Sequence, residues 1–453
     1  MYDMNWIQRH IITRIAIIMM VLVAVVSCSQ DLSDFTIRPS DSVEQEYTPR
    51  IQTEPYRNIF IVYSMGFNNL SSFLRTDLQE LTDNAEIYND RDRIIIFSHL
   101  RKGSETQSAP ILTELRADTF GNIICDTLEV FPKSTHSVDA KTVRSVLTKI
   151  REEYPAQRYG LLLSSHGTGW APENYCATPS SFESSSSGSG SWNSKKKEDL
   201  VPKIDWIYPE DSSIPMVKSI GAETVSGSNI EININDLAAN IPMKMDFIIF
   251  DACFMGGIEV AYELRNVCDK IVASQTEVIA EGMDYITMTS YLMKGSGPDL
   301  EGFCKNYFEY YNNHQQPIYR SATISLIDTK KLEPLAAACK DIFESRRSTI
   351  AALEGKNIVQ PYFQKSYSTL HGWFFDLESI VINSGTSQEQ RTKVKDALNQ
   401  CVIYKAATET FFTSQIEINH HCGFSMYLPY KRKTYLNNFY KSLEWNKATG
   451  LVK

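Results

Sequence analysis

Apolar runs bounded by polar turns recur along this chain, and their spacing alternates between the strand and helix periods. Asn58-Ile59-Phe60-Ile61-Val62-Tyr63 and Arg93-Ile94-Ile95-Ile96-Phe97 are β-branched and aromatic, and predict two core strands. Thr113–Asp118 and Ile123–Asp126 flank Gly121-Asn122 and predict a hairpin. Val138, Val143, Val146, Leu147 and Ile150 recur at helical spacing, with Ser137 or Asp139 as cap and Pro155 as the stop. The run Tyr159–Ser165 then delivers His166-Gly167, and Phe247-Ile248-Ile249-Phe250 delivers Asp251-Ala252-Cys253. Between them, Ile230, Ile232 and Ile234 alternate as a short strand after a Ser226–Asn229 turn. Asn235-Asp236-Leu237 then begins a helix that ends near Pro242. Beyond Cys253, Ile258, Ala261, Tyr262 and Leu264 predict a helix starting close to the thiol, and Ile271–Ser274 a strand. Two further strand-like runs, Ser321–Ile327 and Gly423–Leu428, lie among helical patterns from about 290 onward. Strand–helix–strand alternation of this kind argues for an α/β fold, a mostly parallel sheet flanked by crossover helices, with additional C-terminal α/β elements.

Composition narrows the class. The chain has 453 residues, 43% hydrophobic and 22% charged, which suffices for a large core. Its net charge is -9 with no clustered basic tract, which excludes a nucleic-acid binder. Arg9 and Arg14 precede an apolar stretch, Ile15 to Val26, that ends at Ser27-Cys28, the layout of a secretory leader. Val25-Val26-Ser27-Cys28 resembles the bacterial lipobox. That resemblance implies diacylation of Cys28 and a lipid-anchored protein of the cell envelope, at the outer membrane or cell surface. An uncleaved signal anchor is the alternative. Residues 29–54 read as a flexible tether and 55–453 as the folded domain. Within it, 179–200 is a low-complexity loop that carries Lys195-Lys196-Lys197. Cys28 aside, eight cysteines remain and none forms a Cys-x-x-Cys pair, so neither a zinc ribbon nor a thioredoxin-like motif is present.

Two strand ends, one bearing an imidazole and one a thiol, suggest a nucleophile and its base at the carboxyl edge of a parallel sheet, where open α/β sheets place their sites. A helix beginning just after Cys253 would lower the thiol's pKa. On position alone, Cys253 reads first as a buried inert thiol, and His166 also reads as a histidine bonded to a backbone carbonyl. His371 sits among Leu370, Trp373 and Phe374 and reads as packed. His420-His421 lacks a third ligand at metal-like spacing, so no metal site is assigned.

Leu162-Leu163-Ser164-Ser165-His166-Gly167-Thr168-Gly169-Trp170 resembles the histidine motif of the clostripain family of cysteine peptidases. Phe250-Asp251-Ala252-Cys253-Phe254-Met255-Gly256-Gly257-Ile258-Glu259 resembles its nucleophile motif. Ala273–Glu277 and Gly423–Pro429 resemble further family blocks. The resemblance implies a caspase-like sandwich and hydrolysis of peptide or protein substrates after Arg or Lys. It implies catalysis by Cys253 with His166, with Gly167 and Cys253 N–H groups as oxyanion donors. Asp251 matches the acidic position of the pocket for the basic side chain, with Glu277 and Glu281 as further pocket acids; Asp251 also reads as a helix N-cap. The resemblance also implies maturation by self-cleavage between the histidine and the cysteine, for which Lys195, Lys196 and Lys197 are the candidates. No cofactor is required. Family members differ in calcium dependence, and with no contiguous calcium loop in the sequence, calcium stays open. The chain is expected to act as a monomer. Two rival readings are a catalytically silent peptide-binding lipoprotein on the same scaffold, and a peptidase cleaving after Asp or Asn. Acids near the nucleophile oppose the second, since they would repel a substrate carboxylate.

Overall fold

A computed structural model describes residues 54–103, 107–175, 182–183, 223–225, 228–363, 372–412 and 416–453. The leader with Cys28, the tether, Cys176, Lys195–Lys197 and His371 lie outside the described residues. Those described belong to one unit, Thr53–Lys453.

Among the described residues, nine strands form the central sheet. They are β1 (Tyr56–Gly66), β2 (Asp92–Leu100), β3 (Ile111–Ala117), β4 (Ile123–Val130), β5 (Ala156–Ser164), β6 (Met245–Asp251), β7 (Cys268–Ala273), β8 (Thr323–Asp328) and β9 (Val402–Ala407). Their spatial order is β9-β8-β7-β6-β5-β1-β2-β3-β4. The middle five, β7-β6-β5-β1-β2, are parallel, and two antiparallel strands extend the sheet at each side. The parallel strands are apolar on both faces, as burial under two helical layers requires. Within β5, Leu161 and Leu163 pack on one layer and Leu162 on the other.

One layer includes α2 (Ala140–Glu153), α3 (Ile234–Asn240), α4 (Ile258–Leu264) and α7 (Leu332–Ala351). The other includes α1 (Ser71–Asp83), α5 (Met288–Leu292) and α6 (Leu300–Asn312). Asp139 caps α2 by accepting from Lys141 N, so the structure selects it over Ser137.

Two local expectations change, and one strand is new. The Ile230–Ile234 alternation is not one strand. Ser228–Ile230 pairs with Glu223–Val225, and Ile234 already opens α3 behind Asn233. Gly423–Leu428 contributes only Ser425–Met426, paired with Phe375–Asp376 outside the main sheet. Its apolar residues are buried because they pack on the cysteine loop and α4. The ninth strand, Val402–Ala407, gives a weak sequence signal because it is a half-exposed edge carrying Lys405 and two alanines.

Chain order fixes where a site can form. After β1 the chain adds β2 on one side and later β5 on the other, so a topological switch lies between β1 and β5. Ligand crevices in open α/β sheets form at such switches, outside the carboxyl ends of the strands.

Candidate active site

Three loops leave the carboxyl edge next to one another, after β1, β5 and β6. The parallel register sets Ser164 opposite Asp251, and Ser165 N donates to Asp251 O at 3.4 Å. His166 and Cys253 therefore follow at matching heights, and the strand alternation gives them the same parity.

Glycines close the gap between the two loops. A Cβ on Gly167 would lie 2.3 Å from Cys253 O and 3.0 Å from Cys253 N. Gly169 has φ +60, and its Cβ would lie 2.7 Å from Phe254 O. Any side chain at either position would separate the His166 and Cys253 segments. Phe254 itself adopts φ 61, a conformation that strains a non-glycine residue, and its buried ring stacks on Phe374 at 4.6 Å. Behind the histidine, Trp170 is fully buried against Tyr427 and Tyr440.

Cys253 is 0% exposed and His166 8%. The Cys253 Sγ accepts from Val278 N at 3.1 Å, so the Glu277-Val278 segment lies over the thiol. That segment is pinned in turn: Phe254 N donates to Thr276 O at 2.9 Å, and Thr323 Oγ1 accepts from Gln275 N and Thr276 N. The expected helix start at the cysteine is corrected. α4 begins at Ile258 behind Gly257, five residues on, and has seven residues. The helix dipole therefore does not act on the thiol, because its effect fades within the first turn.

Asp251 is 0% exposed and does not cap a helix. Its Oδ2 accepts from Ser164 Oγ at 2.9 Å and from Tyr285 OH at 2.8 Å. Burial, then Asp251 and Asp77, push the Tyr285 phenol well above its ordinary pKa, so Tyr285 remains a donor. Glu277, the residue before Val278, is buried. Glu281 is exposed and opens onto a cavity of about 330 Å³ that it shares with Phe73, Thr76, Asp77, Glu80 and Asp284. Four carboxylates thus face one hollow, which favours a cationic occupant.

A second, mostly apolar cavity lies beside the histidine, lined among others by Leu163, His166, Phe250, Ala252 and Glu231. Burial pushes the Glu231 carboxyl up to about 7, against the pull of Asn174 N–H. His420 pairs with Glu378 at 3.0 Å, and the Tyr362 hydroxyl meets His421 Nδ1 at 2.7 Å. Among the described residues, no group of three or more His, Cys, Asp or Glu side chains could hold a metal ion, and no disulfide forms.

One partner of the site escaped the sequence reading. His166 Nε2 lies 2.7 Å from Asn69 Oδ1, on the loop after β1. Nothing in the local pattern around Asn69 marks it; only the sheet order brings that loop to the histidine.

The sequence model of the clostripain family matches residues 62–183 and 205–450. No curated protein matches the chain. Among solved structures, an inactive zymogen C11 protease from Parabacteroides distasonis is similar, with 26% identity, TM-score 0.68, and coverage of 87% of this chain and 99% of that one. A secreted C11 cysteine protease from Bacteroides thetaiotaomicron shares the fold at 24% identity and TM-score 0.66, over 87% and 100% of the two chains. A secreted C11 cysteine protease from the same organism, in complex with an irreversible peptide inhibitor, aligns at 22% identity and TM-score 0.65, over 87% and 99%.

Proposed function

The chain belongs to the clostripain family of cysteine peptidases, and from that premise we propose that it is an endopeptidase that cleaves after Arg or Lys, with Cys253 as nucleophile and His166 as its acid–base partner. The observation that carries the reading is the glycine-sealed contact between the His166 and Cys253 loops at the sheet's switch point. Its surroundings support the specificity. Asp251 lies one residue before Ala252-Cys253, and Glu281 opens onto the acid-lined hollow with Asp77, Glu80 and Asp284. A guanidinium or ammonium gains from that field, whereas an Asp or Asn side chain does not.

In the reaction, His166 takes the Cys253 proton and the thiolate attacks the scissile carbonyl. The oxyanion is held by the Gly167 and Cys253 N–H groups. Collapse breaks the C–N bond, and His166 gives its proton to the leaving amine. A water deprotonated by His166 then releases the acyl group as a carboxylate and restores the thiol. No cofactor enters.

The thiol's burial beneath Val278 supports a second part of the reading: the chain is made as a closed precursor and matured by cleavage at Lys195, Lys196 or Lys197. The similar Parabacteroides protein is described as an inactive zymogen. At the N-terminus, lipidation of Cys28 would hold the enzyme at the cell envelope.

Profiling a peptide library with the form lacking residues 1–28 tests the core of this. Cleavage should follow Arg or Lys, vanish in Cys253→Ala and His166→Ala, and lose its basic preference in Asp251→Asn. Full turnover in Cys253→Ala would overturn the nucleophile; retained preference in Asp251→Asn would overturn the pocket acid.

A further inference from the structure

We propose that Asn69 is a positioning residue of the catalytic machinery, one that fixes both the orientation and the tautomer of His166. The inference deepens the reading above and rests on His166 acting as the acid–base group.

The loop after β1 is built to present this one side chain. Asn68 is buried, donates through Nδ2 to Met65 O at 3.2 Å and accepts at Oδ1 from Leu70 N at 2.8 Å, which folds the backbone into a tight Asx-type turn. Ser165 Oγ donates to Met65 O at 2.9 Å, so the residue just before His166 ties the histidine strand to the same turn. On the far side, Ser71 Oγ donates to Gly66 O and accepts from Arg101 N at 2.8 Å, which ties the start of α1 back to β1 and β2. Held from both sides, the turn sets Asn69 Oδ1 2.7 Å from His166 Nε2.

The chemistry of that bond is directional. An amide oxygen only accepts, so the neutral ring must carry its proton on Nε2. The lone pair then resides on Nδ1, which makes Nδ1 the nitrogen that can take the thiol proton. An unheld imidazole would divide its population between tautomers and ring flips, and only part of it would be competent. The partner is also neutral. It orients the ring without adding a charge that stabilises the imidazolium, which separates its signature from that of a carboxylate.

The other titratable groups beside the ring are Cys253 on the neighbouring loop and Glu231 across the adjoining cavity. Neither is altered by substitution at position 69. A change in the pH profile of such a variant therefore reports the Asn69 contact.

The test compares Asn69→Ala, Asn69→Asp and His166→Ala in the matured enzyme, with an Arg-containing peptide substrate, steady-state kinetics across pH and thermal unfolding. Asn69→Ala should lower kcat roughly 10- to 100-fold, with KM and the melting temperature nearly unchanged. Asn69→Asp keeps the acceptor but adds a charge. It should recover most of kcat and move the acid limb of the profile up by about one pH unit. Turnover in Asn69→Ala equal to the parent, or an Asn69→Asp profile that does not move, would overturn the proposal. Should Asn69→Ala fail to fold, the pH shift in Asn69→Asp decides alone. His166→Ala keeps the two failures apart. Inactivity there with a wild-type Asn69→Ala refutes only the positioning role, whereas activity there refutes the underlying assignment of His166.

Discussion

At the scale of single residues, the site depends on atoms that are missing. Gly167 and Gly169 let one loop lie on the carbonyl groups of the other. A methyl at Gly167 would overlap Cys253 O, so Gly167→Ala should abolish peptide hydrolysis and slow the labelling of Cys253 by iodoacetamide. Normal rates of both would show that the contact is dispensable. Glu259 gives a second residue-scale prediction. It is buried, with Oε1 accepting from Tyr427 N at 2.8 Å and from Tyr440 OH at 2.7 Å. Burial pushes its carboxyl up to about 7, against those two bonds. The folded state therefore binds more protons than the unfolded chain between pH 4.5, the ordinary value, and about 7, and stability falls as pH rises through that window. The titratable groups facing Glu259 are Tyr427 and Tyr440, and Cys339 lies beyond Tyr440. Glu259→Gln should leave thermal stability unchanged at pH 5 and raise it at pH 8, by at most about 3 kcal/mol; an unchanged difference between the two pH values would refute this. The candidate pair itself was legible in the sequence because apolar runs ending in His-Gly and Asp-Ala-Cys are local signals. Asn69 was not, because its role exists only once β1 and β5 are neighbours.

At the scale of elements, the parallel strands read clearly from their uninterrupted apolar runs, and the helix α2 from its period. Short segments did not. Ile234 fits a strand alternation and a helix start equally well, and long-range packing of α3 against α2 settles the choice. The helix after Cys253 was legible in type but not in its start: Gly256-Gly257 carry an extended turn first. A side chain at Gly256 is opposed by the backbone there, since its Cβ would fall 2.8 Å from the Ser274 carbonyl carbon. A comparable constraint sits inside the sheet. Gly160 on β5 faces Phe247 on β6, and a Cβ would lie 2.1 Å from the ring. Gly160→Ala should therefore force the two site-bearing strands apart and cost on the order of 1–3 kcal/mol in denaturant unfolding. No loss of stability would mean that Phe247 moves aside freely.

At the scale of the whole molecule, strands that bracket the Lys195–Lys197 interval, β5 and β6, are adjacent in one sheet. A chain cut between them would stay together, because the sheet and both helical layers span the cut. Replacing Lys195, Lys196 and Lys197 by alanine should leave a single uncut polypeptide with Cys253 slow to alkylate, as expected for a thiol sealed under Val278. A cut product from that variant would move the processing site elsewhere. Likewise, Cys28→Ser should shift the protein from the membrane to the soluble fraction of cells. The central claim, a cysteine nucleophile in a peptidase selective for basic side chains, is reached most directly by one measurement: mass spectrometry of the matured enzyme after exposure to a thiol-reactive peptide probe with Arg at its reactive end. The account predicts a single adduct on Cys253, lost in His166→Ala. An adduct on another residue, or labelling by an Asp-bearing probe in its place, would contradict it.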